Sequence, residues 1–331
     1  MSTVDSELLA DYDALTAGAA LVDFNRRTLV ELTGDDRARF LHNLSTNEIV
    51  KLPVHAGCEA FLTNVQGKIL AHVLVFAEPD ALVLDTVPGQ GPAIVKHLDR
   101  YLIRERVTLA DRTADWAEWL LTGSRSAQIL ASLCGDAVPA DPWTSSPAQI
   151  AGHLVTLRRV DLVGPVGFLI LSDRSAAVAI RDALTAGGAK LVGAAAFEAV
   201  RIEAGFPLYG QDVSERNLPQ EVARDARTIS FRKGCYLGQE TVARIDALGH
   251  VNQLLVGLRF AGRPDATPGL ELLAGTAKAG HVTSAAFSPR QQATVALGYV
   301  RRGSHAPGTK LDSSLGTAEV IPLPAGVQPQ H

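Results

Sequence analysis

Residues 28–44 read TLVELTGDDRARFLHNL, and residues 119–133 read WLLTGSRSAQILASL. Each stretch opens with strand-like alternation, turns at a Leu-Thr-Gly triplet, and continues through a polar cap into helical spacing. Ala38, Leu41 and Leu44 carry that spacing in the first copy. Leu32-Thr33-Gly34 and Leu121-Thr122-Gly123 stand 89 positions apart. A three-residue match arises easily by chance, so the order of the surrounding elements carries the argument. Strand-like runs at 58–64, 69–76 and 81–86 precede a helical run at 91–102 and a strand at 106–110. In the second copy, 153–159 and 166–171 precede a helical run at 174–187 and a strand at 189–193. Both halves approximate β-α-β-β-α-β, the split βαβ order of a ferredoxin-like unit with two helices on one face of an antiparallel sheet.

Residues 135–147 mix prolines with small and polar residues and read as a loop inside the second unit. After Gly249 the character changes to short β-rich runs separated by Gly and Pro turns, which predicts a small barrel or sandwich, and PLPAGVQPQH reads as a frayed tail. The expected division is a first lobe at 1–115, a second lobe at 116–248 that includes KGCYLGQE, and a C-terminal β-barrel at 249–331. The chain is free to interleave between the first two. The expected fold class is α+β.

Composition bounds the function. Hydrophobic residues at 47% and charged residues at 20% describe an ordinary globular chain, and a formal net charge of -4 argues against a cationic coat for nucleic acid. Any anion site must then be local. Cys58, Cys134 and Cys235 are widely spaced and form no CxxC pair, so neither a disulfide framework nor a cysteine-rich zinc site is indicated, and a reducing cytoplasm is expected. The first residues lack a basic-then-apolar secretory pattern, and no apolar run approaches a membrane span. GxGxxG after a strand, GxxxxGK[ST], HExxH and GxSxG are all missing, and Gly89-Gln-Gly91 lacks the third glycine of a dinucleotide site.

The chemical signal concentrates in 201–210, RIEAGFPLYG, and in 218–244. Glu203 lies in a helical run ending at Gly205, and an ionised Glu there could accept two parallel N–H bonds from a planar ring edge. A surface Glu paired with Arg201 fits the periodicity as well. Arg224, Arg227, Arg232, Lys233 and Arg244 interleave with Glu221, Asp225, Glu240 and Asp246, which reads either as a solvated mixed surface or as cations facing a cleft. Cys235 follows Arg232 and Lys233 and precedes a helix expected from Gly238, a setting that favours thiolate; a small buried thiol is the competing reading. Cys58 and Cys134 read as core, and His42 and His72 as structural.

Lys233-Gly-Cys-Tyr-Leu-Gly-Gln-Glu240 followed by Ala243-Arg244 closely resembles the signature of YgfZ-type folate-binding proteins, a branch of the glycine-cleavage T-protein (aminomethyltransferase) superfamily. Residues 201–207 and Pro219-Gln-Glu221 resemble the two preceding motifs. Thr33-Gly34 with Phe40-Leu41 and Asn47, the Gly67-Lys68 turn, and Gly280-His-Val-Thr-Ser with Ala296-Leu-Gly-Tyr299 extend the likeness over nearly the whole chain. The resemblance implies a ring of two ferredoxin-like lobes and a barrel around a central tetrahydrofolate pocket. In that pocket Glu203 holds the pterin, Tyr209, Arg244, Lys233 and Gln239 contribute to folate binding, and Cys235 is a redox-sensitive thiol. It implies reduced folate as cofactor, iron–sulfur clients or assembly proteins as partners, indirect support of tRNA thiomodification, and a cytoplasmic monomer without a metal, membrane or direct nucleic-acid partner.

One departure bears on chemistry. Where T-proteins carry a Gly-Gly turn and an Asp-Asp pair, this chain reads Gly67-Lys68-Ile69-Leu70-Ala71-His72. A histidine cannot replace a carboxylate that stabilises a developing iminium cation. Three readings therefore stand: a folate-binding accessory protein of iron–sulfur maintenance, a folate-dependent C1 transferase, and a thiol redox protein without folate. The last lacks a resolving cysteine near Cys235 in sequence.

Overall fold

A computed structural model describes residues 3–325. The two Leu-Thr-Gly triplets occupy equivalent places: strands Thr28–Thr33 and Trp116–Thr122 end at them, and helices Arg37–Leu44 and Ser126–Cys134 follow. Gly34 (φ 101°) and Gly123 (φ 107°) adopt backbone conformations that disfavour side chains. A Cβ would stand 2.1 Å from the Arg106 carbonyl oxygen in the first case and 2.6 Å from that of Gly18 in the second. The repeated glycine is a steric requirement of both turns.

The first sheet runs Gly57–Thr63, Ile69–Ala77, Ala81–Thr86, Thr28–Thr33, Thr108–Asp111 from edge to edge, with every neighbour antiparallel. Leaving out the edge strand Gly57–Thr63, this is the ferredoxin-like strand order. Each unit therefore has one strand more than β-α-β-β-α-β. In the second unit the extra edge strand is Ser145–Ile150, which starts inside the segment expected to be a loop. Its alternating burial identifies it as a half-covered edge, and Pro147 is tolerated because an edge strand needs fewer N–H donors.

The second sheet is Lys190–Leu191, Ala20–Asp23, Trp116–Thr122, Gly167–Asp173, His153–Val160, Ser145–Ile150. The N-terminal strand Ala20–Asp23 lies between the last and first strands of the second copy, parallel to Lys190–Leu191 and antiparallel to Trp116–Thr122. The chain thus interleaves between the first two lobes: residues 20–23 complete the second sheet. The KGCYLGQE segment is tied instead to the first lobe, since Leu237 N–H donates to the Asn43 carbonyl and the Leu237 carbonyl accepts from Thr63 Oγ1.

Each sheet packs its helices on one face and the other sheet on its opposite face. Ile69–Ala77 is apolar at nearly every position because both of its faces are covered. Phe76 and Leu74 from the first sheet meet Leu120, Val160 and Leu169 from the second in one buried cluster, each fully buried side chain contributing about 1.5–3 kcal/mol. Residues 253–321 close a six-stranded barrel in which Gln253–Ala261 pairs with both Ala293–Arg301 and Gly316–Ile321. Helix Ala194–Ala204 packs between the N-terminal helix Thr3–Thr16 and the barrel strand Ala277–Ser288. Of the expected frayed tail, Pro322–Ala325 is placed, with Ala325 N–H donating to the Glu203 carbonyl; the remainder lies outside the described residues. Among the described residues, no helix is long and apolar enough to cross a membrane.

Candidate functional site

A cavity of about 1010 Å3 opens between the second lobe, the N-terminal helix and the barrel. Its walls include Asp161–Val166 from the second lobe, Glu203–Gly205, Val222–Arg227, Leu254–Gly257 and Arg290 from the barrel side, and Leu15 from the N-terminal helix. Glu203 is placed there by helix Ala194–Ala204, which ends in a left-handed cap at Gly205. The side chain is 8% exposed and does not pair with Arg201. Arg201 is itself buried, donating to Glu198, to Asp212 at 2.8 Å and to the Phe206 carbonyl at 2.7 Å. The surface ion pair considered for Glu203 therefore does not form.

Two hydroxyls hold Glu203 from different directions. Tyr12 on the N-terminal helix donates to Oε2 at 2.7 Å, and Ser288 in the barrel donates to Oε1. Burial pushes the Tyr12 phenol up, and its hydrogen bond to the Glu203 carboxylate adds to the effect, so it remains a donor. An ionised carboxylate has about four lone-pair positions, of which two hydroxyls use two. The remaining acceptor capacity is available to the cavity. Neither Tyr12 nor Ser288 was among the sequence candidates, because each lies far from Glu203 along the chain and inside an ordinary helix or strand pattern.

The cations of 224–233 separate into different roles. Arg224 and Arg227 both line the cavity. Arg224 clamps Glu59 in a fork, at 2.9 Å from Nε to Oε2 and 2.5 Å from NH2 to Oε1, and its guanidinium lies over the Phe206 ring. Arg227 forms a two-pronged bond with Asp161 at 2.8 and 2.7 Å. His72 donates or accepts at 3.1 Å with Glu59 Oε2 and lies between the Phe61 and Phe206 rings, tilted to both. Burial pushes the Glu59 carboxyl up, but Arg224 and His72 outweigh it and hold it down to about 2. The position that departs from the T-protein pattern thus belongs to a buried, charge-compensated Arg224–Glu59–His72 group one layer behind the wall. Glu59 and Asp161 were not anticipated either; each reads in sequence as an isolated acid.

Lys233 turns inward, away from the cavity. Its Nζ donates to the carbonyls of His42, Ser45 and Asn47 at 2.6, 2.7 and 2.7 Å and lies over the Tyr236 ring. Burial pulls this amine down to about 7. Cys235 is exposed, while Cys58 and Cys134 are half-buried against the cores of the first and second lobes. Burial pushes Cys58 up to about 12. Gly238 (φ 83°) caps helix Gln239–Leu248 and packs so closely on Gly67 (φ 74°) that a Cβ on either would come within 2.9 Å of the other's backbone. The octapeptide glycine and the Gly67-Lys68 turn are therefore two sides of one contact. Gln239 Oε1 accepts locally from the Tyr236 N–H at 3.3 Å, and Arg244 is exposed on the same helix. Tyr209 packs with Phe61, Ile202 and Val222, and burial pushes its phenol up to about 12. Of the five folate candidates, Glu203 is the one on the cavity wall; Tyr209, Lys233, Gln239 and Arg244 line neither that cavity nor the smaller pocket beside it.

The cavity suits a reduced folate. Its volume lies at the upper end of the range of roughly 300–1,000 Å3 typical of small-molecule pockets. Glu203 offers paired acceptors for a pterin edge; of the three arginines on the wall, Arg224 and Arg227 are already paired with Glu59 and Asp161, which leaves Arg290 to supply positive charge for a glutamate tail. Among the described residues, no cluster of His, Cys, Asp or Glu could hold a metal ion.

Comparison with known proteins agrees with this architecture. Residues 2–233 match the GCVT N-terminal domain, and residues 254–325 match the glycine cleavage T-protein C-terminal barrel domain. An aminomethyltransferase of Saccharopolyspora erythraea is 28% identical over 327 residues, covering 95% of this chain and 89% of the relative. A chloroplastic protein of Arabidopsis thaliana with a provisional transferase name is 28% identical over 292 residues, covering 88% and 67%. The crystal structure of the glycine cleavage aminomethyltransferase T from Bartonella henselae superposes with a TM-score of 0.86 at 22% identity, covering 96% of this chain and 89% of that one. Two family domains that together span most of the sequence, on a matching fold, show that this chain belongs to the glycine cleavage T-protein family.

Proposed function

We propose that the chain binds a reduced folate in the central cavity and serves as an accessory protein of iron–sulfur cluster assembly or repair, with Cys235 as its exposed reactive thiol. The observation that carries the folate reading is the Glu203 carboxylate, fixed at the wall by Tyr12 and Ser288 with acceptor capacity left over. The iron–sulfur role, and through it the support of tRNA thiomodification, rests on the YgfZ-type octapeptide around Cys235. Client iron–sulfur enzymes are then its partners, and a cytoplasmic monomer its working form.

Aminomethyl transfer is the competing reading, favoured by the names of the relatives. Against it stands the charge at position 72. An iminium cation needs a carboxylate with uncompensated negative charge; Glu59, the acid in contact with His72, is neutralised by Arg224. Bound folate would supply a one-carbon carrier, and the residues here would orient it without adding that charge.

Anaerobic calorimetric titration with tetrahydrofolate tests the binding step. Saturable binding that weakens in Glu203→Gln is the expected result. An assay for 5,10-methylenetetrahydrofolate from an aminomethyl donor separates the two readings, since steady turnover would establish the transferase. For the accessory role, deletion of the gene should lower iron–sulfur enzyme activities in the host. Restoration by wild type but not by Cys235→Ser is expected, and full restoration by the variant would remove Cys235 from the proposal.

A further inference from the structure

We infer that the smaller pocket beside the central cavity is a binding site for a guanidinium-bearing ligand, held by Gln220, Asp225 and Asp246. This pocket, of about 420 Å3, shares Asp225, Leu254 and His305 with the folate cavity but is otherwise walled by helix Gln239–Leu248 and the barrel rim. Gln220 belongs to the Pro219-Gln-Glu221 motif. Glu221 is accounted for, because its Oε2 accepts from the Leu218 N–H at 3.0 Å. Gln220 is accounted for only in part.

Gln220 is 7% exposed, and its Nε2 donates to the Val242 carbonyl at 2.7 Å. A carbonyl accepts and cannot donate, so this bond fixes the amide orientation and leaves Oε1 as the remaining atom. Among the described residues, Gln220 Oε1 has no hydrogen-bond partner although it is buried; the same holds for Asp225 Oδ1 and His305 Nδ1 on the same walls. A buried acceptor without a partner costs about 1–3 kcal/mol, and native proteins keep few of them. Two such acceptors on one pocket, beside a histidine nitrogen whose role depends on its tautomer, call for a ligand that brings N–H donors.

The charge on that ligand follows from the aspartates. Asp225 and Asp246 repel, and burial together with the Asp246 charge pushes the Asp225 carboxyl up to about 6. A cation between them relieves both effects. Guanidinium fits better than ammonium because it carries five N–H donors in a fixed plane for acceptors that lie apart, and it sheds water more readily. Asp246, His250 and Arg302 are exposed at the mouth, while Gln220 and Asp225 form the inner end. Nothing in this assignment depends on folate, and its test is made without folate.

The experiment is calorimetric titration of the full chain with methylguanidinium chloride against a sodium chloride control of equal ionic strength. Saturable binding is expected, weakened at least tenfold in Asp225→Asn and in Asp246→Asn, with methylammonium binding more weakly than methylguanidinium. N-acetylarginine methylamide binding more tightly than methylguanidinium would assign the ligand to an arginyl side chain of a partner; the reverse order would assign it to a free guanidino compound. No heat beyond the salt control, equal affinity in both variants, or equal binding of methylammonium overturns the inference. Should a variant fail to fold, amide chemical shifts of the wild type decide. Shifts grouped at Gln220, Asp225, Ile245–His250 and Arg302–His305 support the site, and shifts elsewhere refute it.

Discussion

Replacing Glu203 by glutamine changes one atom's chemistry and leaves its shape. In the wild type two of about four lone-pair positions accept from Tyr12 and Ser288, and the others are available to the cavity. In Glu203→Gln one oxygen becomes an NH2 group. Tyr12 and Ser288 are hydroxyls that can rotate from donor to acceptor, so the fold should lose no more than about 1 kcal/mol. On the cavity side the change is not absorbed. A pterin edge presenting two N–H donors would meet one oxygen and one N–H, losing a charge-assisted bond of about 1.5–3 kcal/mol. At about 1.4 kcal/mol per tenfold, the dissociation constant for tetrahydrofolate should rise by roughly 10- to 150-fold. Anaerobic calorimetry measures that constant, with a thermal melt as the control for folding. A variant that melts like the wild type and binds within threefold of it would refute the assignment of Glu203.

Other outcomes follow from the surrounding residues. Glu59 is held down to about 2 from an ordinary 4.5, so its stabilisation is fully present above 4.5 and is lost as pH falls toward 2. Glu59→Gln should therefore flatten the decline in denaturation midpoint between pH 4.5 and 3, and an unchanged slope would count against the Arg224–Glu59–His72 group. Cys235 is exposed while Cys58 and Cys134 are packed, so iodoacetamide should label one thiol quickly, and mass mapping should place it at Cys235; a fast reaction at Cys58 contradicts the packing. Lys233→Met leaves three carbonyls without their donor and should cost on the order of 3 kcal/mol in denaturant unfolding while leaving tetrahydrofolate affinity unchanged. A selective loss of folate binding would return Lys233 to the ligand.

Periodicity and turns made much of the fold legible. The duplicated Leu-Thr-Gly turn, the two helices after it and the β-rich C-terminal region are local patterns, and they appear where they were expected. The strand Ala20–Asp23 did not, because its place between Lys190–Leu191 and Trp116–Thr122 is a long-range pairing that a four-residue apolar run cannot announce. Ser145–Ile150 was hidden by Pro147, which reads as a breaker unless the strand is known to be an edge. At the site, Glu203 was visible from its motif. Lys233 and Cys235 were misleading neighbours: they are two residues apart, yet one side chain is buried among carbonyls and the other is exposed. Sequence proximity implied that the lysine would act on the cysteine, but the loop turns them to different environments.

On the accessory reading proposed above, the difference from an aminomethyltransferase comes down to Glu59 and His72 on adjacent strands. The fold that positions Glu203 resembles that of an aminomethyltransferase over nearly its whole length. Restoring an acid at position 72 alone should nevertheless not restore an uncompensated carboxylate. An aspartate there would stand close to Glu59, which already contacts the native His72 at 3.1 Å, and two buried acids would compete for Arg224. Like charges at that distance raise one carboxyl until it holds a proton. His72→Asp should therefore give a destabilised protein without aminomethyl transfer, and the double change with Glu59→Gln is the smaller step toward it. If His72→Asp alone produced turnover, the Glu59 ion pair would not be what separates this cavity from that of a transferase.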